Sequence, residues 1–184
     1  MIKHEYNLAS HDSAPSSTVC AVKAELERKG ARQIGVRYTI DADPAVLDIP
    51  DDVKAVRKDY LWKTTCCELF LRDLDGPGYC EFNFSPSTCW AAYRFDSFRS
   101  GMRDLPLGIS PIVTVQEDSR ILQIDALLDF AGAELPAQLD GASLGLTAVV
   151  AERDGTSSYW ALTHPFPKPD FHHADGFIAE LPEE

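Results

Sequence analysis

Three stretches decide the fold of this 184-residue chain: Thr65-Cys66-Cys67-Glu68-Leu69-Phe70-Leu71-Arg72, then Tyr79-Cys80-Glu81-Phe82-Asn83-Phe84, then Cys89-Trp90-Ala91-Ala92-Tyr93-Arg94-Phe95. Most of them change character at every second residue, the period of a strand whose side chains alternate between two faces. Turn-forming residues separate them, Asp75-Gly76-Pro77-Gly78 and Ser85-Pro86-Ser87.

Outward from this centre the same period recurs. Val22 to Glu27 and Ile34 to Ile40 alternate in the same way before it. After it, Ile112 to Glu117 and Ile121 to Leu127 read as a hairpin through Asp118-Ser119. Leu144 to Glu152 and Ser157 to Thr163 flank Arg153-Asp154-Gly155-Thr156, a strong turn signal. Asp41 to Pro50 and Gly132 to Gly141 act as separators, and short helical pieces are expected near Leu128 to Ala133 and Asp170 to Ala174. About nine to eleven short strands without long helices specify an all-β, antiparallel β-sandwich. With no internal repeat or linker, residues 1–184 are expected to form one domain.

Alternation also sorts chemistry. It assigns Cys67, Leu69, Leu71, Phe82, Phe84, Ala91, Tyr93 and Phe95 to a core face, with Cys80 and Cys89 beside them. The opposite face then collects Glu68, Phe70, Glu81, Asn83, Trp90, Ala92 and Arg94. A flat aromatic among directional hydrogen-bonding groups suits a polar, ring-shaped ligand. The same residues also fit an ordinary solvent face, with Glu–Arg cross-strand pairs and Trp90 packed under a loop.

A second concentration is Ser158-Tyr159-Trp160-Ala161-Leu162-Thr163-His164-Pro165-Phe166-Pro167-Lys168-Pro169-Asp170-Phe171-His172-His173. Its prolines restrict the backbone, so a loop carrying His164, Lys168, Asp170 and His172 is expected at the rim of the ligand face. His164, Asp170, His172 and His173 are metal-ligating types, but their spacing matches no metal motif, and no metal is expected.

The net charge of −12, from 29 acidic and 17 basic residues, leaves no basic footprint for nucleic acid or an anionic membrane. No apolar run approaches the roughly 18 residues of a membrane span, and no secretory signal opens the chain. A cytoplasmic location follows as the expectation. Cys20, Cys66, Cys67, Cys80 and Cys89 include no C-x-x-C pair and are expected to be free thiols. Nucleophilic motifs such as G-x-S-x-G and Gly-rich phosphate loops are absent, and Glu68 with Glu81 could pose as a glycosidase pair, although two carboxylates on one sheet face are common. A binding module rather than an enzyme is expected.

The strings Leu61-Trp62-Lys63-Thr64-Thr65-Cys66-Cys67-Glu68-Leu69-Phe70, Gly78 to Ser87 with Glu81-Phe82-Asn83-Phe84-Ser85-Pro86, and Trp90-Ala91-Ala92-Tyr93-Arg94-Phe95 resemble the DOMON-like family. Within it they resemble the MurB-like branch, related to family 9 carbohydrate-binding modules. Ser158 to Leu162, His164-Pro165 and Lys168 to His173 match the same branch. The resemblance runs from about Tyr6 to Leu181 and implies an Ig-like or jelly-roll sandwich with a ligand pocket on one sheet. It implies a small-molecule partner, a sugar before haem; a scaffold for protein contact with a vestigial pocket stands as a separate alternative. Trp62 and Trp160 are both candidates for a second stacking Trp beside Trp90. The family's calcium ligands have no clear counterpart. Met102 is the one internal methionine for a Met–His haem pair, and no cofactor is expected.

Overall fold

The fold was obtained as a computed structural model, which describes residues 3–50, 54–133, 135, 139 and 141–181. Met1, Ile2 and part of the 132–141 separator lie outside these. Among the described residues twelve strands form: β1 (Lys3–Ser10), β2 (Ala21–Gly30), β3 (Gln33–Asp41), β4 (Cys66–Arg72), β5 (Tyr79–Phe84), β6 (Trp90–Phe95), β7 (Arg103–Asp104), β8 (Ile112–Glu117), β9 (Ile121–Asp129), β10 (Ser143–Ala151), β11 (Ser157–Ala161) and β12 (Ala179–Glu180). The named strand pairs are all antiparallel.

The strands make two layers. The first runs β8-β9-β3-β2-β1 and the second β7-β6-β5-β4-β10-β11, with β12 on the free end of β10. β1 joins them, because Leu8 pairs with Val22 of β2 while Ala9 and Ser10 pair with Ala161 and Trp160 of β11. Between the layers lies the main core, with Leu26, Ile34, Tyr38, Ile40 and Ile124 from one sheet facing Leu69, Phe82, Phe84, Leu146 and Val150 from the other. Tyr38 ties the sheets together, its hydroxyl donating to the Glu68 carbonyl at 2.5 Å.

The fold is the expected all-β antiparallel sandwich. Three strands were not read from the sequence: β1, β7 and β12. The two helical expectations are corrected. Leu128 belongs to β9, whose end turns at Gly132 with φ 75°. The second is a single 3₁₀ turn, Ala174–Gly176, which shares only Ala174 with the expected stretch.

The outer faces of the two sheets differ. That of the first sheet is a solvent face of charged pairs such as Lys3–Glu25 and Arg37–Asp125. In the second sheet β5 is buried on both faces, and β4 and β10 nearly throughout, because a second apolar cluster covers the outer side. Phe70, Tyr79, Tyr93, Phe95 and Phe177 form it, with Trp62 and Phe171 packed against them. Gly145 makes the cover possible, since a Cβ there would stand 2.6 Å from Phe177 Cδ1.

One strand contradicts the face assignment. β6 places Trp90, Ala92 and Arg94 opposite Phe84, Phe82 and Cys80, on the core side, and turns Ala91, Tyr93 and Phe95 outward with Glu81 and Asn83. Cys89 likewise joins the outer cluster. The physical reason is the connection Ser85–Cys89. Ser85 N donates to Cys89 O and Thr88 N to Ser85 O, and Thr88 sits at φ 68°. This tight loop sets the register, and one residue of register exchanges the faces. β6 carries aromatics at both parities, and its one charge, Arg94, lies on the core side at the sheet end, so its own alternation points the wrong way.

Candidate functional site

A cavity of about 370 Å³ opens on the outer face of the second sheet. Its floor is built by three neighbouring strands: β4 contributes Glu68, β5 Glu81 and β10 Val149. Both carboxyl groups are buried, each residue only 4% exposed. The Thr147 hydroxyl, directly across from Glu68 on β10, donates to Glu68 Oε2 at 3.0 Å. Asn83 Nδ2 donates to Glu81 Oε1 at 2.9 Å, while Asn83 Oδ1 has no partner among the described residues.

Burial without a paired base raises both acids. Glu68 is held well above the usual carboxylate range, first by desolvation and then by the charge of Glu81. Glu81 is pushed up to about 7 by burial, against the Asn83 hydrogen bond and the more distant Arg99 charge.

Aromatic rings stand around this floor. Trp62 sits on a single 3₁₀ turn, Leu61–Lys63, launched by Tyr60 in the left-handed region at φ 63°. Tyr93, which β6 turns outward, supports it edge-on at 6.0 Å, and the Tyr93 hydroxyl is anchored on Asp59 at 2.8 Å. Across the cavity Tyr159 of β11 meets Phe171 at 6.1 Å.

His172 closes one side. Its ring is wedged edge-on against Phe70, Tyr79 and Phe95, and Nδ1 lies 2.8 Å from the Tyr79 hydroxyl. That hydroxyl also accepts the Arg99 backbone N–H at 3.2 Å, so its own proton is free to go to His172 Nδ1. Nε2 then carries the imidazole proton and faces Glu81 Oε2 across 3.9 Å, too far for a hydrogen bond. Burial pushes His172 down to about 4, so near neutrality this contact is no ion pair. At the rim the Arg99 guanidinium is held by Asp170 at 3.0 Å, beside Met102 and Pro169.

The candidate residues therefore separate. Trp62, Glu68, Glu81 and His172 line the cavity, Asn83 stands behind Glu81, and Asp170 fixes the rim arginine. Trp90 and Trp160 are corrected: both are buried in the main core, and the Trp160 indole N–H donates to Ser158 Oγ at 2.9 Å. Arg94 is corrected too, lying on the core side at the sheet end in a two-point pair with Asp73. His164 lies outside the cavity, bonded through Nε2 to Ala9 O at 2.8 Å and set edge-on to His11 at 4.8 Å. Lys168 is exposed and does not line the cavity.

Reasoning from sequence missed Phe95, Arg99, Val149, Tyr159 and Phe171 as lining residues. Tyr159 was within reach. The β10–β11 hairpin pairs it with Val149 and pairs Trp160 with Ala148, so the two aromatics must face opposite ways. No group of three or more His, Cys, Asp or Glu side chains among the described residues is arranged to hold a metal ion.

No protein-family model matches the chain, and no characterised protein matches its sequence. Solved structures do. A proposed carbohydrate-binding protein from Bacteroides uniformis superposes at TM-score 0.69 and 13% identity, over 95% of this chain and 84% of that one. A family 9 carbohydrate-binding module from Caldicellulosiruptor kristjanssonii, in complex with glucose, aligns at TM-score 0.46 and 12% identity, over 83% and 73%. At such identity the likeness to the Bacteroides protein is one of fold: the chain is a β-sandwich of the kind found in that protein.

Proposed function

We propose that this chain is a non-catalytic module that binds a small carbohydrate in the cavity over Glu68 and Glu81. The observation that carries this is the pairing of a buried carboxyl floor with facing aromatic walls, Trp62 on one side and Tyr159 with Phe171 on the other. A pyranose presents apolar C–H faces that pack on aromatic rings and hydroxyls that donate to carboxylates. A cavity near 370 Å³ falls within the usual range for small-molecule sites. The Bacteroides protein of the same fold, itself proposed to bind carbohydrate, supports the reading. So does the DOMON-like resemblance, whose strand strings supply Glu68 and Glu81.

The haem alternative fits the residues less well. Met102 and His172 do line one cavity, but His172 Nδ1 is engaged by Tyr79 and Nε2 is turned toward Glu81. Neither nitrogen is left free to hold haem iron. The acidic surface favours neutral or cationic ligands over anionic ones. Five unpaired cysteines suit a reducing compartment such as the cytoplasm.

A thermal-shift screen against monosaccharides and disaccharides tests the proposal. A ligand at a hundredfold excess over its Kd stabilises the folded state by about 2.7 kcal/mol, a plain rise in Tm. The rise should vanish in Trp62→Ala and Tyr159→Ala. A screen in which no sugar raises Tm overturns the reading.

A further inference from the structure

The floor of the cavity carries two buried acids and no base. Glu68 has one oxygen on the Thr147 hydroxyl, and its other oxygen makes no hydrogen bond with a described residue. Glu81 Oε2 lies 3.9 Å from His172 Nε2 and makes no hydrogen bond with a described residue. Of the described residues lining the cavity, Arg99 alone is a cation. It sits at the rim, half exposed, with its guanidinium committed to Asp170. Tyr159 also lines the cavity, and of the titratable groups near the acids Cys66, Tyr79, Tyr93 and His172 are held by burial in their uncharged forms near neutral pH.

From this unmatched floor, and resting on the carbohydrate-binding reading, we propose that the ligand is a sugar carrying a free amino group, its ammonium seated between Glu68 and Glu81. An ammonium has three donors and no acceptor, which suits the free oxygen of Glu68 and the outward oxygen of Glu81. The aromatic walls add cation–π attraction where the ammonium lies over a ring face. A neutral hydroxyl at the same place leaves the carboxylates without a countercharge, an unfavourable arrangement at such burial unless they keep protons. The raised affinity of both acids for protons in the free protein is what an acid pair awaiting a cation shows. Trp62, Tyr159 and Phe171 hold the sugar ring, and the acids read its amino group.

Matched pairs test this by isothermal titration calorimetry at pH 7: glucosamine against glucose, galactosamine against galactose, mannosamine against mannose. In at least one pair the amino sugar should bind ten times more tightly or better, and the ratio should fall below about three in Glu68→Gln and Glu81→Gln. Should either variant fail to fold, the wild-type ratio at pH 5 replaces it. It should be much smaller there, because the ammonium must displace protons that both acids hold more firmly at pH 5 than at pH 7. Neutral sugars binding as tightly as their amino partners would overturn the amino-sugar assignment and leave carbohydrate binding standing. A preference unchanged in both variants, or at pH 5, would overturn it too. Failure of all six sugars to bind would remove both proposals.

Discussion

Trp90 stands directly opposite Phe84 across the β5–β6 ladder, so its indole enters the core between the sheets and has no access to the cavity on the far side. Trp62, 28 positions earlier in the chain, is the tryptophan at the cavity. The two should separate stability from binding. Trp90→Ala should lower unfolding stability by about 3–5 kcal/mol, as for a large buried aromatic, with sugar affinity little changed in the folded protein. Trp62→Ala should do the reverse, reducing affinity by about 2 kcal/mol or more with a small stability loss. Urea unfolding and calorimetry on both variants check this.

Glu81 should leave a signature in the pH dependence of stability. Its folded value near 7 lies above the ordinary 4.5, so between these limits the unfolded chain has released a proton that the folded chain keeps. The folded state binds more protons there, and the contribution of Glu81 to stability falls as pH rises from about 4.5 to about 7. The loss is on the order of 3 kcal/mol. His172 acts in the opposite direction. Its value near 4 lies below the ordinary 6.5, so its contribution rises as pH climbs through that window. In the wild type the two oppose each other, and Glu68, raised as well, adds to the fall with rising pH. The stability of the wild type minus that of Glu81→Gln should therefore fall steadily from pH 4.5 to 7, measured by urea unfolding across the range. A flat difference would contradict the buried, unpaired state of Glu81.

The Tyr79 hydroxyl joins the Arg99 backbone to His172 Nδ1. Tyr79→Phe leaves both without that partner in a half-buried setting, and should lower stability by about 1–2 kcal/mol. Because the hydroxyl sets which His172 nitrogen carries the proton, ligand affinity should fall as well. Nitrogen chemical shifts of the His172 ring should show loss of the single tautomer.

The five thiols differ in access. Cys20 is exposed, while Cys66, Cys67, Cys80 and Cys89 are buried. Burial raises the Cys66 and Cys67 thiols well above their ordinary range. An aromatic disulfide reagent should therefore titrate one thiol quickly in the native protein and all five after denaturation.

What the sequence determined by itself is the sandwich and the floor of the site. In β4 and β5 acid or amide residues alternate with strictly apolar ones, so Glu68, Glu81 and Asn83 had one face open to them whatever the partners were. Tertiary structure alone decided the rest, for two physical reasons. In β6 and β11 aromatics occupy both parities, so hydrophobic period is silent and the side is set by the Ser85–Cys89 turn and by pairing with β10. This is why Trp90 and Trp160 fall in the core while Phe95 and Tyr159 reach the cavity. The other reason is distance along the chain. His172 and Phe177 arrive on the Glu68–Glu81 face from far along the sequence, through contacts with Phe70, Tyr79 and Phe95, and Phe171 through its contact with Tyr159, none of which a local pattern encodes. Their arrival removes water from two carboxyl groups that sequence alone would leave at the surface, and that burial is the source of the site's chemistry.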